Sequence, residues 1–318
     1  MSMDELSLFS GNANRPLASA ICQHLDLHDG EAEVFQFSNE NIFVKINENI
    51  RGHDVFIVQS FSTPVNTSIL ELLIMIDACK RASARRITAV IPYYAYGRSD
   101  KKDQPRVPIT ARLIADCISV AGANRVLTMD LHAGQIQGFF NIPVDELSAS
   151  HILARYWLQK RIPNLTVVAT DAGFAKKARN FAELLDAPLA IVEKRRRGND
   201  ERAEAMGVIG QVEGRNVLIV DDEIDTAGSI IRAMQLVKNE GARDVYASAV
   251  HGVLSGPAIE RLRAAEFKEL VLTDTIPVPA EKRLPNMTIL SVASLFAAAI
   301  QHIHDGSSVS ELFRWEHD

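Results

Sequence analysis

The sequence predicts an α/β fold of two related domains, each a mainly parallel sheet flanked by helices, on three observations. Short runs rich in Val, Ile and Leu alternate with segments of helical periodicity along the whole chain, the order that builds parallel sheets covered on both faces. At 318 residues, 47% hydrophobic and 23% charged, the chain is long enough to fill two cores. Two segments also repeat one pattern: Arg125–Asp130 and Arg215–Asp221 both run from Arg through an apolar stretch to an acid. The join falls near residue 148, giving domains 1–148 and 149–318, with the last helix packing back on the first.

Taken in order, Asp54–Gln59 reads as a strand, followed by a strongly apolar helix over Ser68–Ala82 and a second strand at Thr88–Ile91. After Pro108 a helix repeats Ile109, Leu113 and Cys117 on one face and stops near Gly122; Arg125–Met129 is again a strand. Past Pro143 the pattern restarts with a helix near His151–Gln159 and strands at Thr166–Ala169, Leu189–Val192, Val217–Val220, Val245–Val250 and Leu270–Thr273. A final helix covers Val292–His304.

A formal charge of −6 and a pI near 5.9 argue against a general nucleic-acid or acidic-membrane binder. The three cysteines show no metal spacing, and Cys79 and Cys117 fall in apolar helical runs suited to small buried thiols. With so few cysteines, no signal-peptide pattern and apolar runs too short to span a bilayer, the expected location is cytoplasmic.

The most informative stretch is Val217–Ser229. Its first four residues read as a buried parallel strand, and Asp221 and Asp222 stand at the carboxyl end, where open α/β sheets bind ligands. Asp225, Thr226, Ala227, Gly228 and Ser229 then form a small-residue loop into a helix with Ile230, Ile231, Met234 and Val237 on one face. A tight loop at a helix N-terminus aims backbone N–H groups at one spot and favours an anion there. A phosphate suits the loop and sugar hydroxyls suit the carboxylates, which together describe a pocket for a phosphorylated pentose. The plainer alternative is that the acid pair merely ends a strand and Asp225 or Thr226 caps a helix.

This segment resembles the phosphoribosyl-diphosphate loop of type I phosphoribosyltransferases, and the wider chain resembles class I ribose-phosphate diphosphokinases nearly end to end. The resemblance is carried by Asn47-Glu48-Asn49-Ile50-Arg51-Gly52, Thr88–Tyr94, Arg106–Thr110, Asp130-Leu131-His132-Ala133 and Gln135–Phe140. It implies two phosphoribosyltransferase-type domains and a magnesium-dependent enzyme. That enzyme moves the diphosphoryl group of ATP to the 1-hydroxyl of ribose 5-phosphate, giving 5-phosphoribosyl 1-diphosphate and AMP. Thr226, Gly228 and Ser229 would hold the 5-phosphate, and Asp221 and Asp222 the ribose hydroxyls, directly or through a second magnesium, with Asp222 the candidate base. A phosphoribosyltransferase would share that loop but use the product as donor, and a non-catalytic regulatory homologue would keep the fold alone.

On residues alone, the run 98–103 would be a solvated loop, Phe37 an ordinary core residue and Lys194–Arg202 a solvated charge run. The resemblance instead implies that Arg98, Ser99, Lys101 and Asp103 bind ATP, Arg98 and Lys101 through the charge-assisted hydrogen bonds that phosphates favour. Phe37, Asn39, Glu40 and Asn41 would enclose adenine from a neighbouring subunit. His132 and Asp171 would hold magnesium, and Lys194 and Arg196 would be catalytic residues on a mobile loop. Three positions depart from the family: Ser99 replaces a usual Gln, Asn41 a usual Glu, and Phe174 a small Gly whose loss predicts a crowded pocket. The resemblance further implies a homohexamer built from dimers, activated by phosphate and inhibited by ADP, with Arg51, Ser83, Arg106, Ser308 and Ser310 matching the effector site.

Overall fold

The computed structural model describes residues 5–196 and 204–313, with the side chains of 194–196, 204–206 and 313 outside that description. It divides into two compact units, Met1–Ser148 with Thr275–Pro277 and Ser291–Asp318, and Ala149–Asp274 with Val278–Leu290.

The first unit begins with β1 (Leu6–Ser10), α1 (Arg15–Leu25) and a hairpin of β2 (Ala32–Gln36) and β3 (Ile42–Ile46). It continues through β4 (Asp54–Val58), α2 (Val65–Arg81), β5 (Arg86–Ile91), α3 (Thr110–Ala121), β6 (Arg125–Met129) and β7 (Val144–Leu147). The sheet order is β1-β4-β5-β6-β7, parallel throughout. Every residue of β4 is buried, which explains its unbroken apolar run after Asp54. Helix α1 starts where Asn14 Oδ1 accepts the Leu17 N–H (3.4 Å) and Pro16 fills a first-turn position whose N–H has no intrahelical acceptor. Helix α2 buries Leu72, Met75, Ile76 and Cys79, spaced as one helical face, against the sheet.

The second unit holds α4 (Ser150–Lys160), β8 (Leu165–Ala169), α5 (Ala175–Leu184), β9 (Leu189–Arg196), β10 (Glu204–Ile209) and β11 (Asn216–Ile224). These are followed by α6 (Gly228–Asn239), β12 (Val245–Gly252), α7 (Ala258–Ala264), β13 (Leu270–Thr273) and β14 (Met287–Leu290). The sheet order is β10-β9-β8-β11-β12-β13-β14, parallel except for the β9–β10 pair. From β8 the chain moves outward to β9, whereas from β11 it moves the opposite way to β12. The order therefore reverses between β8 and β11, the position at which doubly wound sheets open a crevice beyond their strand ends.

The chain then returns to the first unit as α8 (Ala293–Asp305), one residue later than the apolar pattern suggests. This helix buries Phe296, Ala299, Ile300 and Ile303 and packs on α1. Its end is pinned by Asp54, buried at the start of β4. The carboxylate accepts the Arg86 guanidinium on both oxygens and the His304 Nδ1 at 2.9 Å, while Arg86 also donates to the Ile303 carbonyl (2.8 Å).

The structure corrects three sequence expectations here. The strand expected to end at Val220 runs on to Ile224, because its ladder with β12 continues through Asp221↔Ala249, Glu223↔His251 and Ile224↔Gly252. The charge run from Lys194 is not wholly loop: the backbone as far as Arg196 is strand, in antiparallel register with Glu204–Ile209. Cys79 is buried, but Cys117 is only half-buried on α3; Cys22 on α1 is the second buried thiol. Burial pushes the Cys79 thiol up to about 12.

Candidate active site

Strand β11 loses β8 as a partner after Val220↔Ala169 but keeps β12, so Asp221 and Asp222 stand beside the point where β8 gives way to its loop. That loop begins Thr170-Asp171, and the Thr170 hydroxyl donates to Asp221 Oδ2 (2.8 Å), tying the two strand ends together. The Asp222 N–H donates to Asp221 Oδ1 and the Glu223 N–H to Asp222 Oδ1, both at 3.0 Å. Asp222 and Glu223 are buried, and Asp221 is half-buried. Burial, then the neighbouring Asp222 charge and hydrogen bond, raise the Asp221 carboxyl well above the usual carboxylate range. Two acids so close hold a proton or attract a cation or hydroxyl donors more readily than either alone.

The loop after β11 is fixed from outside. The Ser255 hydroxyl donates to Asp225 Oδ1 and the Ser255 N–H to the Asp225 carbonyl (3.0 Å); Arg261 Nη1 donates to the Thr226 carbonyl (2.9 Å). The N-cap of α6 is Ala227, at φ 61° in the left-handed region that non-glycine residues seldom occupy. Neither Asp225 nor Thr226 stands at the cap position, so the plainer reading of these residues as a helix cap does not describe the loop. A helix that starts behind an alanine receives no side-chain acceptor from its own cap, and its first amides lie next to Gly228 and Ser229.

A cavity of about 490 Å³ opens beside this loop, lined by Thr170–Gly173 after β8, Val192 and Glu193 on β9, and Ser229 and Arg232 on α6. It gathers Asp171 and Ser229, two residues singled out in the sequence, with Thr170, Glu193 and Arg232, which were not. Thr170 was legible as the residue joining a buried strand to Asp171. Glu193 and Arg232 carry no signal except their spacing from Lys194 and Ser229. The Asp171 carboxylate is exposed: Oδ1 accepts the Phe174 N–H (2.9 Å), and Oδ2 bonds to none of the described residues. Phe174 does not line the cavity; it stands at the N-cap of α5, so its bulk does not narrow the space as the sequence suggested. For Lys194 and Arg196 the backbone lies on β9, one and three residues past the cavity wall, and their side chains lie outside the described residues.

In the first unit a second group gathers beyond β5 and β6. A Cβ placed on Gly97 would lie 3.0 Å from His132 Cβ, so the run from Arg98 begins directly against His132. Arg98, Lys101, Asp103 and His132 are all exposed. Ser99 is half-buried and tied to the start of α3: its hydroxyl accepts the Thr110 N–H (3.2 Å) and its carbonyl the Ala111 N–H (3.2 Å). A serine is short enough for that double role. Gln135 donates to the buried Asp100, closing the run against the segment that follows His132.

Phe37 is 48% exposed at the tip of the β2–β3 hairpin, so it is not a core residue. Its ring lies edge-on to Phe35 at 5.1 Å and to Phe43 at 5.9 Å, and Asn39, Glu40 and Asn41 are exposed beside it. Of the five positions matched to an effector site, Arg51 and Ser83 come together at one corner, where the Gly52 N–H donates to the Ser83 carbonyl (2.9 Å). The next bond of that corner runs from Arg85 N–H to the His53 carbonyl (2.9 Å), beside the Asp54–Arg86 pair that pins α8. Ser308 and Ser310 follow α8 and share a 2.7 Å hydroxyl contact; Arg106 is exposed, with φ 65°.

Among the described residues, no three His, Cys, Asp or Glu side chains converge as a metal cage. Magnesium needs less: it takes one or two carboxylates and keeps its waters. The exposed Asp171 oxygen and the Asp221–Asp222 pair fit that donor set. No helix among the described residues is long and apolar enough to cross a membrane.

Comparison with known proteins gives a consistent result. The model for the N-terminal domain of ribose phosphate pyrophosphokinase matches residues 6–122, and that for the phosphoribosyl synthetase-associated domain matches residues 199–314. The chain is 54% identical over 311 residues to ribose-phosphate pyrophosphokinase of Caldanaerobacter subterraneus subsp. tengcongensis, covering 98% of each. It is 51% identical over 314 residues to the Rhodopirellula baltica protein of the same name, covering 98% of this chain and 99% of that one. The crystal structure of phosphoribosylpyrophosphate synthetase from Mycobacterium smegmatis matches with a TM-score of 0.91 and 41% identity, covering 96% of this chain and 100% of that one.

Proposed function

The chain belongs to the ribose-phosphate pyrophosphokinase family and makes 5-phosphoribosyl 1-diphosphate, and we propose that it does so with the cavity beside β11 as its phosphopentose site. The observation that carries this reading is one opening in the second unit lined by Thr170, Asp171 and Ser229, with the Thr170 hydroxyl bonded to Asp221 of the acid pair (2.8 Å). In this reading the loop 225–229 holds the 5-phosphate by backbone amides, and Asp221 and Asp222 accept the ribose hydroxyls. Arg98 and Lys101 bind ATP phosphates from the first unit. Phe37, Asn39, Glu40 and Asn41 meet the adenine across a subunit boundary in a hexamer.

The anomeric hydroxyl attacks the β-phosphorus of ATP, the bond to the α-phosphate oxygen breaks, and AMP leaves while the diphosphoryl group moves to the sugar. Little covalent work falls to the protein, so alignment and neutralisation of charge dominate. Lys194 and Arg196 supply donors to the transferring group, and Asp222 takes the hydroxyl proton. Magnesium, for which Asp171 of the second unit and His132 of the first are the candidate ligands, would supply positive charge beside the phosphate oxygens when bound. Phosphate and ADP act as effectors at the corner of Arg51 and Ser83.

Incubation with magnesium, ATP and ribose 5-phosphate tests the reaction: AMP is the expected nucleotide product, and ADP in its place would contradict a diphosphoryl transfer. Asp222→Asn tests the site. Removing one charged acceptor from a buried pair costs about 1.5–2 kcal/mol of hydrogen bonding, or a roughly 10- to 30-fold higher KM for ribose 5-phosphate. The KM for ATP should stay within about twofold; equal losses for both substrates would point to damaged folding instead.

A further inference from the structure

The loop at 225–229 contains no cation of its own, yet two arginines from outside it meet there. Arg232 stands three residues after Ser229 on α6, and helical side chains lean back toward the N-terminus. Its Nη2 reaches Ser229 Oγ at 3.4 Å, and its Nη1 lies 3.4 Å from the point where a Cβ on Gly228 would stand. Arg261, on α7, brings its own Nη1 to 3.6 Å from the same point while it donates to the Thr226 carbonyl. Among the described residues, no carboxylate forms an ion pair with either guanidinium.

Two exposed like charges beside a helix N-terminus, itself the positive end of the dipole, favour an anion between them. Arg232 also lines the cavity that holds Asp171 and Glu193, so its charge faces the space a substrate would fill. We propose that Arg232 is a specificity-determining residue that grips the phosphate of the phosphopentose, with Arg261 a positioning residue that holds the loop through Thr226. The inference rests on the reading of this loop as the phosphopentose site. It assigns selection of a phosphate dianion over a neutral sugar to side-chain charge as well as to backbone amides. Guanidinium suits the task because its planar fork can meet two phosphate oxygens at once.

The test uses the full-length enzyme with magnesium and ATP, following AMP formation while ribose 5-phosphate and salt are varied. Arg232→Gln should raise the KM for ribose 5-phosphate about tenfold, the usual scale for a lost charged hydrogen bond, while the KM for ATP stays within about twofold. Arg232→Lys should recover part of that loss, because it restores charge but not the fork. The dependence of this KM on ionic strength should be shallower in Arg232→Gln than in wild type. Thermal protection of each variant by ribose 5-phosphate alone gives a readout independent of turnover, and Arg232→Gln should need a higher concentration for the same shift. An unchanged KM, salt slope and protection in Arg232→Gln, with wild type active, would overturn this inference alone. A wild type that yields no AMP from ribose 5-phosphate would sink the phosphopentose reading and this inference with it.

Discussion

Lys194→Ala is expected to lower turnover by about 10²-fold or more while ribose 5-phosphate still binds with near-normal affinity, the pattern of a lost donor to the transition state. The strand geometry brings the backbone of this position to the edge of the cavity wall. Strand β9 carries Val192 and Glu193 along the cavity wall, and Lys194 is the next residue on the same strand. Its backbone is held in register with Met206 of β10, so the residue enters the charged run from a fixed base. Binding of the sugar phosphate, by contrast, is assigned to α6 and to the end of β11. Single-turnover measurements separate the two effects. A turnover within threefold of wild type would remove Lys194 from the chemistry.

Asp54→Ala has the largest expected effect on stability. The carboxylate is buried, bound by Arg86 on both oxygens and by His304, and removing one partner of such a network costs roughly 3–5 kcal/mol. Arg86 is a third exposed and can recover some hydration, which favours the lower end, about 3 kcal/mol. For a unit of this size that corresponds to a fall of roughly 6–12 °C in the melting temperature of the first unit. Scanning calorimetry resolves the change. A shift below about 1 °C would show that α8 is held by its apolar face alone.

Residue patterns were informative where the determinant is local. Arg125–Met129 and Leu270–Thr273 form strands with the bounds expected from their apolar runs, and the loop before α6 was legible because strand, acid pair, small residues and helix follow within thirteen positions. They were silent where the determinant lies elsewhere in the chain. Strand β9 continues through Glu193 and Lys194 because β10 supplies its hydrogen bonds, and a ladder partner leaves no mark on hydrophobic periodicity. Strand β11 overruns Val220 for the same reason, through β12. Phe37 looked like core because aromatic residues usually are, whereas a hairpin tip has no second layer to cover it. Arg232 and Arg261 meet at Gly228 only because α6 and α7 are neighbours, a contact that neither segment encodes alone.

The final helix has a bearing on how the chain matures during synthesis. Its apolar side completes a core whose other members lie hundreds of codons earlier, so a nascent first half leaving the ribosome carries an uncovered surface over α1. That surface stays bare until α8 itself has been translated and has cleared the exit tunnel. A chain halted at residue 290 should therefore bind a hydrophobic dye or a chaperone, and release of the full-length product should abolish that binding.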